Sequence, residues 1–162
     1  MAFDTYLKIE GVTGEATAKG AESQMEIYSF SWGASNPTTV GSGTTGLSAG
    51  KVSVSSFNIM KKSDKASPEL FMACCNGKHF DKATVQMRKA TGDAQGVFLK
   101  YTFTDVMIES VQWSGSSGGD DTPTESVSLA FAKVEIEYQQ QDAKGAVGKP
   151  VRASWDLTTV SK

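Results

Sequence analysis

Hydrophobic and polar residues alternate along most of this chain, and the alternation predicts a protein made chiefly of strands. Phe3 to Ile9 reads as the first strand, stopped by Gly11-Val12-Thr13-Gly14. In the next, Met25, Ile27, Ser29 and Ser31 share one face, and Glu26, Tyr28, Phe30 and Trp32 share the other. The aromatic face is predicted to be buried and the two serines exposed. Further strands are predicted over Ala83–Ala90, Val97–Trp113, Thr124–Gln140 and Val151–Thr158.

Several of these segments change phase. Val97, Leu99, Tyr101 and Phe103 give way to Val106 and Ile108, and Val127, Leu129 and Phe131 to Val134, Ile136 and Tyr138. Repeated changes of phase suit strands that bend around a barrel or cross between two packed sheets. The shift from Val52 and Val54 to Phe57 and Ile59 makes Ser55-Ser56 a candidate β-bulge. Gly33 to Gly50 shows no period; it is rich in Gly, Ser and Thr and reads as a long extended loop.

One helix interrupts the pattern. Ser67 is placed to cap it, Pro68 suits its first position, and Glu69 sits near the positive end of its dipole. Leu70, Phe71 and Cys74 form its predicted apolar stripe. Asn76-Gly77 supplies a left-handed stop, beside Lys78 and His79. The fold class is therefore mainly β: a barrel-like antiparallel fold with two packed sheets, one short helix and a long extended loop. The whole of 1–162 reads as one domain.

Composition narrows the function. The chain has 162 residues, with 39% hydrophobic and 21% charged side chains, as in an ordinary globular protein. Its formal charge is −2, from 16 basic and 18 acidic groups, which argues against a nucleic-acid partner. The longest apolar run, Leu70 to Cys75, is far too short for a membrane span. The start lacks a basic, then apolar, leader, so assembly in the cytoplasm is expected, with any later export needing no cleaved signal peptide. Cys74 and Cys75 are adjacent and read as small, partly packed side chains, since a disulfide between neighbours would be strained.

Candidate chemistry is sparse. Gly41-Ser42-Gly43-Thr44-Thr45-Gly46 matches a dinucleotide-binding glycine pattern, but a strand follows it where a helix N-terminus is needed. Gly46 to Lys51 is a residue too short for a phosphate loop, and Ser48-Ala49-Gly50-Lys51 meets the Ser-x-x-Lys pattern without the companion motifs. His79 is the single histidine; it lacks an evident nucleophile and orienting group and reads as satisfying carbonyls at the helix end. Asp120-Asp121 reads as a solvated loop tip. No catalytic residue, metal site or cofactor is expected.

Taken in order, Tyr6-Leu7-Lys8-Ile9, Gly11-Val12-Thr13-Gly14-Glu15, Ser31-Trp32-Gly33, Gly50-Lys51-Val52, Lys61 with Asp64-Lys65-Ala66-Ser67-Pro68, Leu70, Met72-Ala73-Cys74, Gly77-Lys78-His79, Arg88-Lys89-Ala90, Glu125-Ser126-Val127-Ser128-Leu129 and Tyr138 resemble the haemolysin-coregulated protein (Hcp) family of bacterial type VI secretion. Cys75, and Ser154 before Trp155, depart from the family pattern. The resemblance implies a non-enzymatic tube subunit that forms a homohexamer. Its rings would stack into a hollow tube, propelled out of the cell inside a contractile sheath, with sheath, spike and small effector proteins as partners. On that reading, Gly41, Ser42, Gly43, Thr44, Thr45 and Gly46 are candidates for contact between subunits or stacked rings, and Ser29 and Ser31 for a polar lumen wall. The alternatives are a monomeric ligand-binding β-sandwich using Gly33 to Gly50 as a lip, and a hydrolase using His79.

Overall fold

The computed structural model describes residues 3–41, 46–91, 94–119, 122–141 and 147–162. In chain order the strands are β1 (Asp4–Ile9), β2 (Met25–Ile27), β3 (Ser29–Ser31), β4 (Ala34–Ser35), β5 (Thr38–Gly41), β6 (Gly46–Ala49), β7 (Ser53–Val54) and β8 (Phe57–Lys62). Helix α1 (Ser67–Asn76) follows, and then β9 (His79–Thr91), β10 (Ala94–Ser114), β11 (Thr124–Gln141) and β12 (Val147–Asp156).

The main sheet is antiparallel and runs β2-β1-β9-β10-β11-β8-β3, with β12 added along the far half of β11. Its two ends belong to one continuous stretch of chain. Met25–Ile27 pairs with β1, and Ser29–Ser31 pairs with β8. Between them the Tyr28 amide donates to the Met60 carbonyl at 3.1 Å. The sheet thus closes into a barrel, which removes strand edges that would otherwise stand open.

This closure corrects the expected face pattern. The alternation breaks at Tyr28, where the chain passes from one strand partner to the other. Met25 and Ile27 are buried, Phe30 and Trp32 pack against the core, and Tyr28 stands out in solvent. Ser29 and Ser31 are exposed, as expected.

The phase change in the long strands is shared by three of them in register. Phe103 lies beside Val134 and Ala83; three residues on, Val106 lies beside Phe131 and Phe80. Both rows point into the core, although a flat strand would send them to opposite faces. Asp105, at φ 55°, supplies the kink in β10. Trp32, Phe57, Tyr101, Phe103 and Phe131 fill the space inside, with Phe103 stacked obliquely on Phe57 and Phe131 at 4.8 and 4.6 Å between centroids. Each such pair contributes about 0.5–1.5 kcal/mol beyond its buried area.

Helix α1 packs on β10 through Leu70 and Ala73; Cys74 is partly buried, with its Sγ 3.5 Å from the Glu109 carbonyl, while Cys75 is exposed. Phe71 is exposed instead of joining the buried stripe, and lies 5.7 Å from the Trp113 ring. Ala66, not Ser67, is the N-cap residue, and no side chain caps the helix. Gly77 ends it in the left-handed conformation at φ 66°, as the sequence predicts.

Ser67 is occupied elsewhere. Its hydroxyl accepts from the Asp64 amide at 3.0 Å and lies 3.3 Å from the Lys61 ammonium. Lys61 and Glu125 face each other across β8 and β11, both wholly buried, with Nζ 2.7 Å from Oε2. Lys61 also contacts Asp64 Oδ1 at 2.8 Å, and the Trp113 indole donates to Glu125 Oε1 at 2.7 Å. Five side chains from β8, α1, its lead-in, β10 and β11 therefore make one polar cradle under the start of the helix.

Candidate functional site

The segment from Gly33 to Gly50 is an arm, and it is paired. β5 and β6 form an antiparallel hairpin, with Thr38 opposite Ala49, Thr39 opposite Ser48, Val40 opposite Leu47 and Gly41 opposite Gly46. The lack of a hydrophobic period is explained by exposure: every residue of β6 is exposed among the described residues. At the base, the Gly50 amide donates to the Pro37 carbonyl at 2.8 Å, and a Cβ at position 50 would come within 2.8 Å of that same oxygen. On one face Thr39 and Ser48 join hydroxyls at 2.6 Å. On the other, Val40 and Leu47 are 80% and 72% exposed. Of the proposed contact residues, Gly41 and Gly46 are a cross-strand pair near the tip; Ser42, Gly43, Thr44 and Thr45 lie outside the described residues. Val40 and Leu47 were missed at sequence level because two apolar residues seven apart in a glycine-rich stretch give no signal until the hairpin register brings them together.

The candidate bulge at Ser55-Ser56 is a break instead. β7 pairs with β4 at the root of the arm, and β8 belongs to the barrel. Ser55 joins the two by bonding Gly33 twice: its amide donates to the Gly33 carbonyl at 2.8 Å, and its hydroxyl accepts from the Gly33 amide at 2.9 Å.

Ser29 and Ser31 stand at the start of a wider polar surface. Ser31 pairs with Asn58, Asn58 with Ser128, and Ser128 with Ser110. In the neighbouring row, Ser29 leads through Met60 to Ser126 and Gln112. Five serines, an asparagine and a glutamine thus share the outer face of four adjacent strands. The signal was present in the sequence as polar residues alternating with buried Val127, Leu129, Phe57 and Ile59, but only the register aligns them.

His79 does not reach the helix carbonyls. It opens β9, and its Nδ1 lies 2.9 Å from Asp105 Oδ1, with both side chains more than half exposed. Asp120 and Asp121 lie outside the described residues. Among the described residues, no group of three or more His, Cys, Asp or Glu side chains is placed to hold a metal ion, and no helix is long and apolar enough to cross a membrane.

The family profile described as type VI secretion system effector, Hcp, matches residues 6–138. Over 158 residues the chain is 40% identical to Protein hcp1 of Pseudomonas aeruginosa, covering 97% of this chain and 96% of that one. A solved structure described as a type six secretion system protein superposes with a TM-score of 0.94 at 37% identity, over 99% of each chain. The crystal structure of Hcp1 from Salmonella typhimurium superposes at 0.78 with 33% identity, again over 99% of each.

Proposed function

The chain belongs to the Hcp family of type VI secretion tube proteins, and from that footing we propose that six copies close head to tail into a ring, that rings stack into a hollow tube, and that the tube carries small effector proteins in its lumen as it leaves the cell. The observation that carries this reading is the 40% identity to a P. aeruginosa Hcp protein across nearly the whole of both chains. A sheath outside the tube and a spike at its tip complete the partners on this reading.

Three features of the subunit support it. Among the described residues β12 pairs with one strand, β11, its other edge being met only by the Asp156–Ser161 bridge at its end, and it carries Val151 at 70% exposure; a neighbouring copy covering that edge would remove a hazard that a free monomer carries. The hairpin β5–β6 projects from the barrel with two bare apolar side chains, and is the element we assign to contacts between stacked rings. The serine face led by Ser29 and Ser31 is the proposed lumen wall: short hydroxyls offer cargo hydrogen bonds, with Met60 the one large apolar side chain in the two rows described above.

Electron micrographs of the purified protein test the reading. Annular views with six-fold symmetry, and a native mass six times that of the 17.2 kDa chain, are expected. Solitary compact particles over a wide concentration range would overturn it.

A further inference from the structure

Arg88 of β9 is almost wholly buried, with its guanidinium over the Tyr6 ring and its Nε without an acceptor among the described residues. Its other nitrogens donate to the Lys19 carbonyl at 2.7 Å and to Gln86 Oε1 at 3.3 Å. An arginine can only donate, so Gln86 must turn its oxygen towards it. The Gln86 Nε2 then donates to Gln24 Oε1 at 2.8 Å. This relay of amides ends in the Gln24 NH2 group, a donor with no acceptor among the described residues.

Gln24 and Gln86 stand on the wall of an open hollow of about 400 Å³, together with Lys8 of β1, Thr84 of β9 and Lys100 of β10. Arg88 lies directly behind the same wall: a Cβ at Gly20, which also lines the hollow, would meet its Nη2 at 2.9 Å. Lys8 is paired with Thr84 and Lys100 with Gln86, so the two lysines flank β9. Two strand spacings of ~4.8 Å and two residues of ~3.3 Å put their Cα atoms roughly 12 Å apart, within reach of one group lying between them. Neither lysine has an ion-pair partner among the described residues. The carboxylate on this wall, Glu137, is engaged by Arg152 at 3.1 Å.

We propose that this hollow binds a small phosphate-bearing molecule. Two ammonium groups, the Gln24 amide and the Thr84 hydroxyl face it from three strands and the loop before β2, and all of them can donate. A phosphate offers acceptor oxygens in tetrahedral directions and suits lysine as a point charge. A planar carboxylate offers its lone pairs in one plane and would leave one side of the donor set unmet. The site is complete within one chain and does not depend on the ring reading.

Calorimetric titration of the full chain with sodium pyrophosphate, at an ionic strength held constant with chloride, tests the site. Saturable binding of one pyrophosphate per chain is expected. Lys8→Gln combined with Lys100→Gln should weaken it by about tenfold or more. Gln24→Glu keeps the acceptor for Gln86 but puts an acceptor where the free donor stood, and should weaken it as much. Lys51→Gln combined with Lys65→Gln, an equal change of charge at exposed positions outside the hollow, should bind like the parent. Succinate at the same concentration should not compete. Heats that never saturate would mean an adventitious ion only; these, equal weakening by the two lysine pairs, or competition by succinate would each overturn the proposal. Thermal midpoints check that the variants are folded, and if the Lys8 and Lys100 double variant is not, Gln24→Glu decides. None of these results bears on the tube reading, which the micrographs decide.

Discussion

The cradle beneath helix α1 and the hairpin β5–β6 are opposite solutions to placing side chains. In the cradle, Lys61 and Glu125 are charged yet wholly buried, and their side-chain contacts with Asp64, Ser67, Trp113 and each other tie one element to another. In the hairpin, Val40 and Leu47 are apolar yet bare, and none of the described residues covers them. Buried charge is retained where it fixes how strands and helix meet. Exposed apolar surface is retained where another molecule is to supply the cover. The first region serves the fold of one subunit; the second, on the proposed function, serves what the subunit joins.

The largest effect should come from breaking the cradle unevenly. Lys61→Met leaves the Glu125 carboxylate buried beside the Trp113 indole without its cation, and should cost about 3–5 kcal/mol of stability. The double substitution Lys61→Met, Glu125→Met removes both charges and should be distinctly less destabilised than Lys61→Met alone. Urea unfolding at fixed protomer concentration measures both, because assembly would otherwise shift the midpoint. Equal losses in the two proteins would show that the pair is not coupled.

A smaller loss tests the loop that leads from β1 to β2. The Gly14 amide donates to the Ser23 carbonyl at 2.7 Å, and a Cβ at position 14 would lie 2.4 Å from the Gln24 carbonyl oxygen. Gly14→Ala must push backbone from backbone, so a destabilisation of about 1–3 kcal/mol is expected. The same unfolding experiment reads it.

The hairpin should behave in the contrary way. Residues 41–46 are glycine, serine and threonine only, with almost no apolar surface to give the core, so on removing them the unfolding free energy should change by less than about 0.5 kcal/mol. Stacking of rings, followed by sedimentation or microscopy, should be lost. A collapse in thermal stability with stacking preserved would reverse the roles assigned to the two regions.

This contrast also explains what the sequence could tell. The strands from β8 onward and the helix stop at Gly77 were legible because one buried face imposes a period, and because a left-handed turn asks for glycine. Four of the residues that carried the family resemblance, Lys61, Asp64, Ser67 and Glu125, turn out to be four of the cradle's five side chains. Their role was hidden because Lys61 and Glu125, 64 positions apart, meet only through the β8–β11 register. Ser67 was misassigned for the same reason: a serine before Pro-Glu suits a cap, but its hydroxyl is held by Asp64 and Lys61. The hairpin stayed illegible because a two-stranded arm exposed all round has no buried face to write into the sequence. The serine face was half visible: Ser29 and Ser31 could be placed in solvent, but their continuation into Ser126 and Ser128 required knowing which strands are neighbours.

The smallest expected effect lies after β12. There Asp156 gathers the last turn: its carboxylate accepts from the Thr158 hydroxyl at 2.6 Å and from the Thr158 and Thr159 amides at 2.8 and 3.1 Å. The Thr158 hydroxyl first, then the Thr159 and Thr158 amides, hold this carboxyl below the usual aspartate value near 3.8. A depressed value in the folded state means that the carboxylate supports the turn at all pH above the ordinary value, and that the support is lost as pH falls through the lower, folded one. The Thr158 and Thr159 amide signals in a nuclear magnetic resonance titration should therefore shift together below pH ~3.8, while amides of the buried barrel strands, such as that of Val85, stay put. Asp156→Ala should release the same two amides at neutral pH and leave the barrel unaltered, since backbone bonds that do not use the carboxylate remain: Asp156 with Ser161 at 2.7 and 3.3 Å, and the Leu157 amide to the Ala132 carbonyl of β11 at 2.8 Å. Release of the barrel amides in that variant would mean that the last residues brace the β11–β12 edge, and the line between a self-sufficient barrel and its dependent projections would have to be drawn further out.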